Sequence, residues 1–97
     1  MLHATLLGEN MKDKQLEQIC MRLHELHEDG SVPRNIRRGA KEAREILRHI
    51  EESVDVRVAS AISILDDMVT DPNIPIHGRT AIWNIMSQLE SVSSQQT

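Results

Sequence analysis

The chain has 97 residues, 39% of them hydrophobic and 27% charged, with a formal net charge of −4. That length carries one small domain with one modest core. It has no Phe or Tyr and a single Trp, which argues against aromatic platforms for bases or sugars; its lone cysteine, Cys20, excludes an intramolecular disulfide.

Residues 1–10 hold Leu2, Leu6 and Leu7 but no basic segment and no extended apolar run. They do not read as a signal peptide, and nothing in the chain approaches the ~20 apolar residues of a membrane span. They are expected to form a flexible N-terminal tail. Met11, which opens a good helical sequence, is a candidate start for a shorter product. One free cysteine and no targeting segment point to the reducing cytoplasm.

The first helix is expected over about 11–28, with Leu16, Ile19, Cys20, Leu23 and Leu26 in one stripe and His27 at its edge. Gly30 offers a left-handed residue to end it. The second helix is expected over about 33–50, with Pro33 in its first turn. Its inward stripe is Ile36, Ala40, Ala43, Leu47 and Ile50, with Gly39 and Ile46 at the margin.

Ser53 is a candidate N-cap for a third helix over about 54–70. Val58, Ala61, Ile62, Ile64, Leu65, Met68 and Val69 give that helix a wide apolar arc, which predicts the most buried helix of the set. Pro72 makes helical continuation through Asp71 unfavourable. The fourth helix is expected over about 75–92, with Ala81, Ile82, Ile85, Met86, Leu89 and Val92 inward. Residues 93–97 are polar and expected to fray.

The second half of the chain repeats the first at an offset of 42 positions. Cys20 falls on Ile62, Leu23 on Leu65, Asp29 on Asp71, Val32 on Ile74, Pro33 on Pro75, Arg37 on Arg79, and Leu47 on Leu89. Core stripes and turns register together, so each unit is a helix–turn–helix hairpin with a period in the HEAT-like range. Long helices and short connections favour antiparallel neighbours. The fold class is therefore all-α: an antiparallel four-helix bundle over 11–92, built from two HEAT-like helical hairpins.

Three stretches resemble a known family. They are Ser31-Val32-Pro33-Arg34-Asn35-Ile36-Arg37-Arg38; Val56-Arg57-Val58-Ala59 followed by Ala61-Ile62-Ser63-Ile64-Leu65-Asp66; and Asp71-Pro72-Asn73-Ile74-Pro75-Ile76-His77-Gly78-Arg79 with Ile82-Trp83-Asn84-Ile85. Together they are similar to the archaeal family catalogued as uncharacterised protein family 0147, over roughly residues 15–91. The resemblance implies a small helical bundle and an archaeal source. It implies no activity.

The charges at both hairpin turns run against the helix dipole, which favours acids at N-termini and bases at C-termini. Glu25, Glu28 and Asp29 close the first helix, and Asp66, Asp67 and Asp71 lie near the end of the third. Arg34, Arg37 and Arg38 open the second helix, and His77 and Arg79 the fourth. A structural role is expected for Asp29, Pro33, Arg37, Asp71, Pro75 and Arg79: the two arginines reach back to acids or carbonyls of the preceding helix end.

Arg34, Arg37, Arg38, Lys41, Arg44 and Arg48 share an arc of about 120° on the second helix. This ridge reads either as a phosphate-facing surface for structured RNA or as a solvated face balanced by neighbouring acids. Trp83 lies off the core stripe of the fourth helix, toward Ile76 and Arg79. It is either an interface anchor or a cover for a loop or the N-terminal tail.

No catalytic or cofactor-binding constellation emerges. His24 and His27 share a helix face but lack a second ligand pair, so no metal is expected. Adjacent Asp66 and Asp67 diverge by about 100° and do not form an acid pair. Cys20 lies on the core stripe and reads as inert. There is no phosphate loop or nucleophile elbow. The sequence reading is a non-enzymatic interaction module that docks on a protein partner or self-associates, with Arg34, Arg38, Lys41, Arg44, Arg48, Ile76 and Trp83 as candidate contacts. The alternative is an RNA- or ribosome-associated factor using the basic ridge.

Overall fold

A computed structural model describes the backbone of residues 2–94 and the side chains of residues 13–93. Four helices follow in order: α1 (Leu2–His27), α2 (Arg34–Leu47), α3 (Val54–Val69) and α4 (Ile76–Ser94). Each packs against its chain neighbours, and α4 returns to α1. Neither diagonal pair, α1 with α3 or α2 with α4, comes within 8 Å between described Cα atoms. The result is an antiparallel bundle with one helix at each corner. Both hairpin turns, 28–33 and 70–75, lie at one end, and the α2–α3 turn lies at the other.

Helix α1 begins at Leu2, ahead of the Met11 start that periodicity suggested. Leu2, Ala4, Leu6, Leu7 and Glu9 are good helix formers, and no proline intervenes. Helical backbone therefore runs through most of the segment expected as a tail. At the other end, α4 extends to Ser94, and the part of the expected C-terminal tail at 95–97 lies outside the described residues.

The core follows the stripes closely. Leu16, Ile19, Cys20, Leu23 and Leu26 of α1 meet Ile36, Ala40, Ala43 and Leu47 of α2, all buried. Val58, Ala61, Leu65 and Met68 of α3 meet Ile82, Ile85, Leu89 and Val92 of α4. Val32 and Ile74, one from each hairpin turn, cap the same end. Full burial of each such Leu, Ile or Val contributes about 1.5–3 kcal/mol before the entropy of ordering is charged against it.

Three expectations are corrected. First, α3 is not the most buried helix: Ile62, Ile64 and Val69 are only partly buried and pack on the core from its flanks. A wide apolar arc on a corner helix spreads over two neighbours instead of sinking inward.

Second, Ile50 is not in the core; it is 82% exposed. Helix α2 ends at Leu47, and Arg57 Nη1 donates to the Leu47 carbonyl at 2.8 Å. A continuing helix would use that carbonyl to accept the N–H of residue 51. Past Leu47 the helical projection that placed Ile50 inward no longer applies.

Third, Gly30 does not end α1 in a left-handed conformation; no described residue has positive φ. The Asp29 carboxylate replaces that device, as described below. Pro33 stands one position outside α2, at its N-cap, with φ −59° and ψ 155°. Ser53 caps α3, its hydroxyl accepting from the Val56 N–H at 3.3 Å.

Candidate interaction surfaces at the turns and outer faces

The two hairpin turns are built alike. Asp29 Oδ1 accepts the Ser31 N–H at 2.9 Å, and Asp71 Oδ1 accepts the Asn73 N–H at 2.8 Å. Each is a side-chain turn in which a carboxylate holds the backbone two residues on. Behind it, Val32 N donates to Asp29 O and Ile74 N to Asp71 O, both at 3.3 Å. The Pro33 and Pro75 carbonyls then accept the first intrahelical N–H groups, from Arg37 and Arg79, both at 3.0 Å.

The second oxygen of each carboxylate crosses to the other hairpin. Asn35 Nδ2 donates to Asp71 Oδ2 at 2.7 Å, and His77 Nε2 lies 3.1 Å from Asp29 Oδ2. Asn35 and His77 are counterparts at the repeat offset. The two hairpins thus exchange equivalent bonds across an approximate two-fold axis. These hydrogen bonds also set the acidity of both groups. The Ser31 hydroxyl, then the Ser31 N–H and His77, hold the Asp29 carboxyl down to about 2. Asn35 and the Asn73 N–H lower Asp71 in the same direction.

Asp29, His77 and Ser31 form a cluster that spacing along the chain did not reveal. Ser31 Oγ donates to Asp29 Oδ1 at 2.6 Å and lies 2.9 Å from His77 Nε2. This is not a catalytic triad. Both partners meet the same imidazole nitrogen, whereas a triad needs the carboxylate on Nδ1 and the nucleophile on Nε2. All three side chains tie one turn to the other.

The turn arginines take different paths. Arg79 Nη2 donates to the Asp71 carbonyl at 3.1 Å, so this side chain reaches back to the end of α3. At the first turn the link is inverted: His27 Nδ1–H donates to the Arg37 carbonyl at 3.1 Å. Arg37 Nε and Arg79 Nε are both buried without a hydrogen-bond partner among the described residues. Arg57, to which the sequence assigns no role, does the comparable work at the far end of the bundle. It donates to Leu47 O at 2.8 Å and Glu52 O at 3.0 Å. Its sequence signals are its place in the Val56-Arg57-Val58-Ala59 stretch and a cation beside a helix end.

The basic ridge is split by the packing. Arg34, Arg38, Lys41 and Arg48 are exposed, and Arg44 is half-buried. Arg44 and Arg48 border a groove against α1 with Glu17, Met21, His24 and Glu25. Arg34, Arg38 and Lys41 are not among the residues lining it. Among the described residues the ion pairs within 4 Å are His27–Glu28, His49–Glu51 and His77–Asp29, and none involves the ridge.

On α4, Ile76 is 80% and Trp83 56% exposed. They stand seven positions apart, two turns on one outward face. Trp83 corresponds to Lys41 and Ile76 to Arg34 at the repeat offset, so the two hairpins present an apolar strip and a basic strip at equivalent places.

Cys20 is buried, and burial pushes its thiol up, against reactivity. Among the described residues no three His, Cys, Asp or Glu side chains converge as a metal site. The described helices include none long and apolar enough to cross a membrane.

The fold and surfaces define a small helical bundle whose polar clusters serve its turns. The chain belongs to uncharacterised protein family UPF0147, whose pattern matches residues 4–92. It is 49% identical over 85 residues to a UPF0147 protein of Methanothermobacter thermautotrophicus, covering 88% of this chain and 83% of that one. Its structure is similar to the crystal structure of a UPF0147 protein from Thermoplasma acidophilum, with TM-score 0.82 and 37% identity over 86% of this chain and 98% of that one. It is also similar to a crystal structure of a protein of unknown function, with TM-score 0.77 and 49% identity over 79% and 88% of the two chains.

Proposed function

We propose that this protein is a non-enzymatic interaction module of the cytoplasm that docks on a protein partner, or on a second copy of itself, through the outer face of α4. The observation that carries this is the exposure of Trp83 and Ile76 on one strip of a bundle whose core is already closed. Large apolar side chains, tryptophan above all, supply much of the energy at protein interfaces once water is excluded around them. The polar clusters at the turns are consumed by hydrogen bonds that hold the fold. The test is light scattering across concentration, with affinity purification from the native host, for wild type and Trp83→Ala. A partner or oligomer present in wild type and lost in the variant supports the reading. A monomer that retains nothing, or retains the same proteins when Trp83 is removed, overturns it.

A second reading has its own observation. Arg34, Arg38 and Lys41 are exposed and form no ion pair among the described residues, as a phosphate-contacting surface requires. Binding to structured RNA would then weaken steeply with salt. Affinity absent at low salt, or unchanged in Arg38→Glu with Lys41→Glu, removes this reading.

A further inference from the structure

A groove runs along the surface between α1 and α2. It holds two adjoining cavities, of about 480 and 410 Å³, that share Glu17, Cys20 and Arg48. Its two edges carry opposite charge. Asp13, Glu17 and Glu25 line it from α1, and no lysine or arginine of α1 joins them. Arg44 and Arg48 of α2 and Arg57 of α3 line the other edge, where no acid does. Met21 stands on the α1 edge, 64% exposed, above a floor that includes Leu16, Cys20 and Leu47.

The edges do not neutralise each other across the groove. Among the described residues, none of these acids lies within 4 Å of one of these arginines. The second hairpin does not repeat the basic edge. At the repeat offset Arg44 becomes Met86 and Cys20 becomes Ile62, both packed on the core, and Arg48 becomes Glu90.

A surface with acids along one edge and bases along the other is complementary to itself. Turning a second copy by half a revolution about an axis along the groove exchanges the edges and keeps every residue at its own level. The acids of each α1 then face the arginines of the other copy, and the contact closes as a dimer. An axis across the groove would instead set α1 on α1 and acid on acid, which like-charge repulsion opposes.

We propose that this groove is the interface of a two-fold homodimer. Glu17 and Arg48 line both cavities and so share a level; each Glu17 faces the partner's Arg48. Each Met21 enters the partner's groove, where its flexible thioether adapts to an irregular gap. The interface shares no residue with the Ile76 and Trp83 strip and does not rest on it.

The test is sedimentation equilibrium of the full chain from about 10 μM to 1 mM, which covers contacts of moderate affinity. Wild type is expected to dimerise, less so as salt is raised. Glu17→Arg and Arg48→Glu each turn two attractive contacts into repulsive ones, so each should weaken the dimer by about tenfold or more. Both positions are exposed, and helical circular dichroism confirms that each variant folds. An equal mixture of the two variants regains the dimer, because the reversed charges then meet opposite charges on the other chain; a pair within one chain would not be restored by mixing. Trp83→Ala leaves the dimer intact. A monomer throughout the range overturns the proposal and leaves the Trp83 reading untouched. A dimer that neither reversal weakens, a mixture that stays monomeric, or a dimer lost in Trp83→Ala also overturns it.

Discussion

His77 Nε2 lies 3.1 Å from Asp29 Oδ2, joining the start of α4 to the turn that ends α1. Asn35 makes the reciprocal bond to Asp71 at 2.7 Å. Each hairpin therefore uses the same carboxylate twice, once to shape its own turn and once to hold the other hairpin.

Removing one cross-link leaves the other in place. Asn35→Ala is expected to lower stability by about 1 kcal/mol, the net value of a typical hydrogen bond. Because the two links lie at the same end of the bundle and restrain the same pair of turns, removing both is expected to cost more than the two single losses added together. Denaturant unfolding of Asn35→Ala, His77→Ala and the double variant measures this. Strict additivity would show that the turns are held independently.

The pH dependence follows from Asp29. Its carboxyl is lowered from the ordinary 3.8 to about 2, so the folded state binds its proton less readily than the unfolded chain. Its stabilising contribution is complete above about pH 4 and is lost as the pH falls through about 2. Asp71 acts in the same direction. The unfolding midpoint should fall over this acid window in wild type, and Asp29→Asn should be less stable at neutral pH but show a shallower acid decline. An unchanged acid slope in that variant would count against the hydrogen-bond origin of the shift.

Ile50 and Leu47 make a sharp contrast, one 82% and the other 2% exposed. Leu47→Ala should cost about 2–5 kcal/mol through lost burial and the cavity left behind. Ile50→Ser should change stability by no more than about 0.5 kcal/mol, as surface substitutions do. Thermal or denaturant melts of the two variants check the placement of the α2 terminus.

Arg57 closes the α2–α3 turn by donating to two carbonyls. Arg57→Ala is expected to cost about 1–3 kcal/mol, because the partly buried Leu47 carbonyl is left without that donor. Lysine carries the charge but lacks the planar fork that reaches both carbonyls, so Arg57→Lys should recover only part of the loss. Full recovery by lysine would mean that charge alone, rather than geometry, matters at this helix end.

Much of this protein was legible one residue at a time. Four helices, their inward stripes and the repeat are set by short-range periodicity, since side chains three and four apart share a helix face. Leu23, Ile36, Leu65 and Ile82 are each fully buried where their stripes put them. The turn residues Asp29 and Asp71 were visible as a repeated pattern, and their proximity to Pro33 and Pro75 marked the helix boundaries.

What the tertiary structure decided were the relations between residues far apart in the chain. Asn35 and Asp71 are separated by 36 positions and His77 and Asp29 by 48, and no local pattern links either pair. The exposure of Ile50 depended on Arg57 taking a carbonyl from the helix before it. The groove that sets Glu17 and Glu25 opposite Arg44 and Arg48 required α2 to pack back along α1. Periodicity specifies which face of a helix turns inward, because that is a property of one segment's geometry. Which polar groups then meet, and which are left facing a cavity or the solvent, depends on where the other helices come to rest.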